Sequence, residues 1–255
     1  MLHIDLSGKI AVVTGGSGEL GRVIVRVLAG CGADVAIHYF RHADHASLLL
    51  EELHSLGVRG MTVQADVTQS ESVSVMHKAI VQSLGRPHIL VNNAVIQYQP
   101  WTSVMEQPVE DYESQFRSSV MQNVLMAKAF IPDMIHNRYG RFIAISTECV
   151  MQNLPGQSAY VAGKRGMDGV LRVLAKEIGP HQITVNQVAP GWTITERVRR
   201  EGTQRQEAYE SAIPLKRRGE DQEIAQVVAF LASDLASYIT GAYIPVCGGG
   251  VMPTI

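Results

Sequence analysis

The 255-residue chain is long enough for one large α/β domain or two small ones, and its 46% hydrophobic and 18% charged residues supply a sizeable core. A formal net charge of −2 argues against bulk attraction to nucleic acid or an anionic membrane. Three cysteines, Cys31, Cys149 and Cys247, lie far apart without C-x-x-C or His/Cys ligand spacing, which suits reduced thiols and suggests no metal site. The start, Met1-Leu2-His3-Ile4-Asp5, lacks the basic and apolar regions of a signal peptide. No apolar run approaches the roughly 20 residues that cross a bilayer, so a cytoplasmic location is expected.

In chain order, the β-branched run Ile10-Ala11-Val12-Val13 ends in a glycine cluster, and an amphipathic stretch from Leu20 to Leu28 follows. Val35-Ala36-Ile37 reads as a second strand and Ala43 to Leu56 as a helix. Further strands are expected at Gly60 to Val63, Ile89 to Val91, Phe142 to Ile145, Ile183 to Val185 and Tyr243 to Val246. Helices are expected over Glu71–Leu84, Glu110–His136, Tyr160–Ile178 and Asp221–Ala232. Strands alternating with helices predict stacked βαβ units, hence a parallel sheet covered on both faces. No linker divides the pattern, so residues 1–255 are read as one domain. Between Pro190 and about Glu220 strand signals vanish and arginines gather (Arg197, Arg199, Arg200, Arg205, Arg217, Arg218). That stretch is either a functional lid, an insertion around 191–220, or a solvated helical hairpin.

Two motifs carry chemistry. Thr14-Gly15-Gly16-Ser17-Gly18-Glu19-Leu20-Gly21 joins the first strand to the first helix. Glycines there allow a tight turn and a close backbone approach to a pyrophosphate resting on unpaired helix N–H groups. Tyr160 and Lys164 lie four apart at the start of a helix, so phenol and ammonium share one face. A free phenol has a pKa of about 10. A neighbouring cation lowers it, which fits the phenol for exchanging a proton with a substrate oxygen.

Taken together these segments resemble the short-chain dehydrogenase/reductase family, whose turn usually reads T-G-x-x-x-G-x-G; Glu19 stands at its middle glycine. Within the family the nearest general likeness is to 3-oxoacyl-[acyl-carrier-protein] reductases and related bacterial carbonyl reductases. The resemblance runs from Gly8 to about Gly249 and implies a single Rossmann-type, doubly wound parallel sheet flanked by helices on both faces. It implies a cofactor site at Gly15, Ser17, Gly18, Glu19 and Leu20, with a carboxylate that must point to solvent and with Gly18 supplying the backbone freedom lost at 19. The family's acidic position at the end of the second strand falls on Tyr39, with Arg41 close by, so NADP(H) is favoured over NAD(H). Asp66-Val67 matches the adenine contact, and Asn92-Asn93-Ala94-Val95 the family's N-N-A-G. Asn93 either supports the cofactor site or only satisfies backbone groups. Pro190-Gly191-Trp192-Thr193-Ile194-Thr195 matches the segment that holds the nicotinamide carboxamide, through Pro190, Gly191, Thr193 and Thr195.

Counting back from Tyr160 places the family's catalytic hydroxyl at Thr147, with Ser146 as deputy in a different loop register. The relay asparagine falls on Ser119, giving a tetrad of Ser119, Thr147, Tyr160 and Lys164. Asn123 sits a turn away, displaced by about 5.4 Å. The resemblance implies hydride transfer between NADP(H) and a carbonyl or secondary alcohol, most naturally as ketone reduction. Arg138 and Lys176 either attract an acidic acyl-carrier protein bearing the substrate or are solvated surface charge. Gln97, Gln152 and Trp192 are expected to set substrate identity, and the chain to form a homotetramer or a dimer. The alternative is a fold kept for binding or assembly with catalysis impaired, on the departures at Glu19, Val95, Ser119 and Cys247.

Overall fold

The computed structural model describes residues 3–96, 101–203 and 206–253. It opens with β1 (Ile10–Val13), α1 (Glu19–Gly30), β2 (Asp34–Tyr39), α2 (Ala43–Ser55), β3 (Gly60–Gln64), α3 (Ser70–Ser83) and β4 (Ile89–Asn92). It continues through α4 (Val109–Phe116), a π-helical turn (Arg117–Met121), α5 (Gln122–Asn137), β5 (Gly140–Ile145), α6 (Cys149–Gln152), α7 (Ser158–Ile178) and β6 (Ile183–Pro190). The connection after β6 holds β7 (Thr193–Ile194), α8 (Glu196–Glu201), α9 (Glu207–Ala212) and β8 (Gly219–Glu220), and α10 (Asp221–Ala232) and β9 (Tyr243–Val246) close the fold.

Seven strands form one all-parallel sheet in the order β3-β2-β1-β4-β5-β6-β9. Strands buried on both faces need continuous apolar runs, which is why β1, β4 and β5 are buried throughout. One half of the core packs α1, α2 and α10 on one face, through Ile24, Leu28, Leu49, Leu53 and Val228. The other half packs α3, α5 and α7 on the opposite face, through Met76, Ile80, Phe130, Met134 and Leu171. The order reverses between β1 and β4, and sheets of this kind bind ligands outside the carboxyl ends of the strands at that crevice.

The expected elements fall within a few residues of those observed, with three differences. The long helix expected over Glu110–His136 is broken into α4 and α5 by the π turn. The short α6 follows β5 where no helix was expected. The stretch without strand signals contains the parallel pair β7 and β8, two residues each, formed where the two ends of the stretch meet in space and not by local propensity.

Candidate active site

At the carboxyl end of β1 the chain turns on Gly15, whose φ of +63° a side-chain-bearing residue rarely adopts. A Cβ on Gly21 would lie 2.0 Å from the Gly15 carbonyl oxygen, so only glycine lets α1 start this close to the turn. Gly18 is extended at φ −80° and caps α1 without left-handed freedom, so it does not replace the glycine missing at 19. The turn is braced from three sides. Thr14 Oγ1 accepts from the Asn93 and Ala94 N–H groups, and Asn93 Nδ2 donates to the Thr14 carbonyl at 3.0 Å. Asn93 thus satisfies backbone groups and, in doing so, welds β4 to the turn. The third brace is His38, buried in β2: its Nδ1 accepts from Gly15 N–H at 2.9 Å while Nε2 lies 3.0 Å from the Ala65 carbonyl. That pairing fixes the proton on Nε2, and burial lowers the imidazole's pKa further. A histidine inside an otherwise apolar strand was the sequence signal for this brace.

Glu19 does not simply face solvent. Its carboxylate accepts from Arg22 at 2.6 Å and from the Arg197 backbone N–H of α8 at 2.7 Å. Glu196 of α8 in turn pairs with Arg22 and Arg26, and Arg26 with Glu52. The departure from the family glycine therefore builds a charged strap from the turn to α8. Leu20 packs on the core beside it, and Ser17 is buried. At the end of β2, Tyr39 is half-buried and Arg41 is exposed, its guanidinium 5.3 Å from the Phe40 ring centroid. Asp66 accepts from the Thr68 N–H and hydroxyl, and Val67 packs into the core.

Helix α7 presents the second cluster. Its early turns lie tight on α4 because Gly163 faces the Gln115 carbonyl, 2.7 Å from where a Cβ would stand, and Tyr112 and Ser158 share a 2.7 Å hydroxyl contact. Tyr160 is half-buried and Lys164 fully buried. Lys164 Nζ donates to the Ile145 carbonyl at 2.7 Å and lies 6.0 Å from the Tyr160 ring centroid. Burial pulls the ammonium down to about 8. Burial pushes the Tyr160 phenol far above its ordinary range, Cys149 adds to that, and the facing Thr147 hydroxyl opposes it. The expected lowering of the phenol by Lys164 is absent in this geometry, because the ammonium is engaged with Ile145 and burial outweighs it. Thr147, not Ser146, is the hydroxyl beside Tyr160. It accepts from the Cys149 N–H at 3.3 Å, and its carbonyl accepts from the Tyr243 hydroxyl.

Ser119 lies within the π turn, its hydroxyl buried without a partner, and such turns often mark functional positions in helices. Asn123 does not replace it: its Nδ2 donates to the Ser119 carbonyl at 2.7 Å and its Oδ1 accepts from Asn92 at 2.8 Å. Pro190 accepts from Glu148 N–H, Gly191 donates to the Val246 carbonyl, and Thr193 Oγ1 donates to the Gly191 carbonyl at 2.9 Å. Thr195 caps α8 and its carbonyl receives Arg199 N–H. Of the arginines between 191 and 220, Arg199 pairs with Glu220 and buried Asp221, and Arg217 with Glu223 at 2.6 Å, while Arg197 and Arg200 are exposed. Gln97 and Arg205 lie outside the described residues. Arg138 and Lys176 are exposed where α5 and α7 lead into β5 and β6, at the opposite end of the sheet from Tyr160.

A model of a family described as enoyl-(acyl carrier protein) reductase matches residues 17–250. A 3-oxoacyl-[acyl-carrier-protein] reductase of Pseudomonas aeruginosa is 39% identical over 249 residues, covering 98% of this chain and 100% of that protein. The chain belongs to the short-chain dehydrogenase/reductase family. A second reductase of that name, from Staphylococcus epidermidis, is 36% identical and covers 96% of this chain and 99% of its own. Among solved structures, a 7α-hydroxysteroid dehydrogenase complexed with NADH and 7-oxo glycochenodeoxycholic acid superposes with a TM-score of 0.88 at 26% identity, covering 98% of this chain and 97% of that one. A promiscuous reductase that performs keto-reduction at C1 in lugdunomycin biosynthesis gives 0.87 at 29% identity, covering 97% and 99%. As a member of this family the chain is an oxidoreductase, dependent on a nicotinamide cofactor, that interconverts carbonyls and alcohols. Nothing in these likenesses favours the alternative of a catalytically impaired binding protein.

Proposed function

We propose that the protein is an NADP(H)-dependent ketone reductase in which Tyr160 protonates the carbonyl oxygen. The observation that carries this reading is the meeting of Tyr160, Thr147 and buried Lys164 beside the glycine turn, at the carboxyl ends of β1, β4 and β5. The residues fit the cofactor. A Cβ at Gly15 would crowd Ala94 and Asn93 and spoil the tight turn, and Lys164 spends one of its three donors within the chain. When bound, the nicotinamide supplies the hydride. Gly15, Ser17, Gly18, Glu19 and Leu20 would hold the pyrophosphate, Asp66 and Val67 the adenine, Asn93 and Ala94 the near ribose face. Pro190, Gly191, Thr193 and Thr195 would hold the carboxamide. Tyr39 and Arg41 favour the 2′-phosphate of NADP over a bare ribose hydroxyl, since no carboxylate stands at 39–41.

The phenol of Tyr160, kept protonated by burial, donates to the substrate oxygen, and Thr147 holds that oxygen by its hydroxyl. Lys164 has donors left that would hold the ribose, and its ammonium would stand near the phenolate as it forms. Ser119, with its unpartnered hydroxyl, would position a relay water. Small ketones are the first substrate reading. A 3-oxoacyl group on acyl-carrier protein is the second, favoured by the names of the relatives and not by Arg138 and Lys176, which stand at the far end of the sheet. A homotetramer or dimer through α5 and α7 is part of the proposal, supported by their shared surface of Val124, Ile131, Val173 and Leu174. So is a cytoplasmic location; no helix among the described residues is long and apolar enough to cross a membrane. Fluorescence titration with NADPH and NADH tests the cofactor. NADPH should bind at least tenfold tighter, and Arg41→Glu should remove the difference; equal binding in the wild type would overturn the NADP assignment.

A further inference from the structure

The 191–220 stretch meets the segment that follows β5 at a half-buried joint. The hydroxyl of Tyr209, on α9, donates to Glu148 Oε1 at 2.7 Å and accepts from the Trp192 N–H at 2.9 Å. Glu148 follows Thr147 directly, so this single phenol ties α9 and Trp192 to the segment carrying the catalytic hydroxyl. Glu148 is buried, and its Oε2 has no hydrogen-bond partner among the described residues. The surroundings are built around this joint. A Cβ on Gly191 would stand 2.7 Å from the Tyr209 hydroxyl, and one on Gly250 would stand 2.8 Å from Glu148 Oε2. The Trp192 and Tyr209 rings meet edge to face at 5.5 Å, with the Arg218 guanidinium 5.8 Å from the indole.

We propose that Glu148 is a positioning residue for carbonyl reduction: through Tyr209 it docks α9 and sets Trp192 over the substrate side of the Thr147–Tyr160 centre. The inference deepens the reductase reading and rests on it for its kinetic arm. Tyr209 needs only an acceptor oxygen at Glu148 Oε1, and no salt bridge joins Glu148 to a cation among the described residues; burial raises its pKa. The docking therefore depends on a carbonyl-type acceptor and not on charge, so an amide should serve as well as the acid.

The test compares Glu148→Gln, Glu148→Ala and Tyr209→Phe, each in a Trp101→Phe background so that Trp192 is the sole indole. Acrylamide quenching of Trp192 should rise at least twofold in Glu148→Ala and Tyr209→Phe and stay at the parental value in Glu148→Gln. Ketone KM should rise about tenfold in the first two, with kcat changed less than threefold and NADPH affinity unchanged, and Gln should restore KM. Unchanged quenching in Tyr209→Phe would overturn the proposal, as would a Glu148→Gln protein that behaves like Glu148→Ala. Should Glu148→Ala not fold, Tyr209→Phe decides, since it removes one oxygen and keeps the acid. Should no ketone be reduced, the reductase reading fails while the quenching still decides the joint.

Discussion

Helix α8 meets the body of the domain through charged, partly exposed groups, whereas α9 meets it through one buried acid and one phenol. At the cofactor end, Glu19, Arg22, Arg26 and Glu196 carry side-chain exposures of 13–34%. Pairs of that kind contribute about 0–1 kcal/mol each and are screened over roughly 10 Å at moderate salt. At the substrate end, the Tyr209–Glu148 joint pairs a half-buried phenol with a buried acid, with two glycines keeping room for it. The difference means that salt should loosen the contacts of α8 and a single added methyl group those of α9. Cofactor entry and substrate closure then need not be one motion.

Separating chemistry from closure gives the largest effect. Tyr160→Phe should cut kcat by about 10²- to 10⁴-fold, the usual worth of a positioned proton donor. Trp192 quenching should not change, because the phenol takes no part in the Tyr209–Glu148 joint. Gly191→Ala comes next. Its methyl would press on the Tyr209 hydroxyl and lie 3.0 Å from Cys247 Cβ, and overpacking of this kind costs about 1–3 kcal/mol. Urea unfolding should show that loss, and hydrogen exchange should rise in α9 while α8 stays as it was.

Acid should act on the brace of the glycine turn and spare the substrate end. His38 has a folded pKa below its unfolded value of 6.5, so the unfolded chain takes up a proton first as pH falls. Its contribution to stability is complete above about 6.5 and is lost as pH drops below it, by up to about 1.4 kcal/mol per pH unit. His88, which accepts the Ile10 N–H, has a pKa shifted the same way. The part of the acid loss that disappears in His38→Gln is therefore the part due to His38, measured by urea unfolding between pH 7.5 and 5.5. The smallest effect is expected for Glu19→Gln, at most about 1 kcal/mol. Salt should raise hydrogen exchange in α8 of the wild type and have less effect in this variant, with α9 unmoved in both.

The sheet was legible because parallel strands buried on both faces must be written as unbroken apolar runs, as in Ile10 to Val13 and Phe142 to Ile145. The two clusters were legible because each is local, a glycine turn and a one-turn spacing on α7. What escaped is held by distant partners. Glu148 and Tyr209 are 61 residues apart, and nothing near either predicts the other. Glu19 was visible as a departure, but its use required knowing that α8 returns to α1, across 178 residues. The π turn at Ser119 has no periodicity signal, since it changes one turn inside an otherwise regular helix. The phenol of Tyr160 was expected to be lowered by Lys164, an inference from spacing that left out the Ile145 carbonyl and the burial of both groups.

The central claim is that Tyr160 transfers a proton to a carbonyl oxygen at a site where NADPH is bound. Its most direct test is NADPH consumption with a panel of ketones, in wild type and Tyr160→Phe, at equal NADPH occupancy established by fluorescence. The account predicts turnover of at least one ketone by the wild type and a loss of at least a hundredfold in the variant. Full NADPH binding with equal rates in both proteins would contradict it.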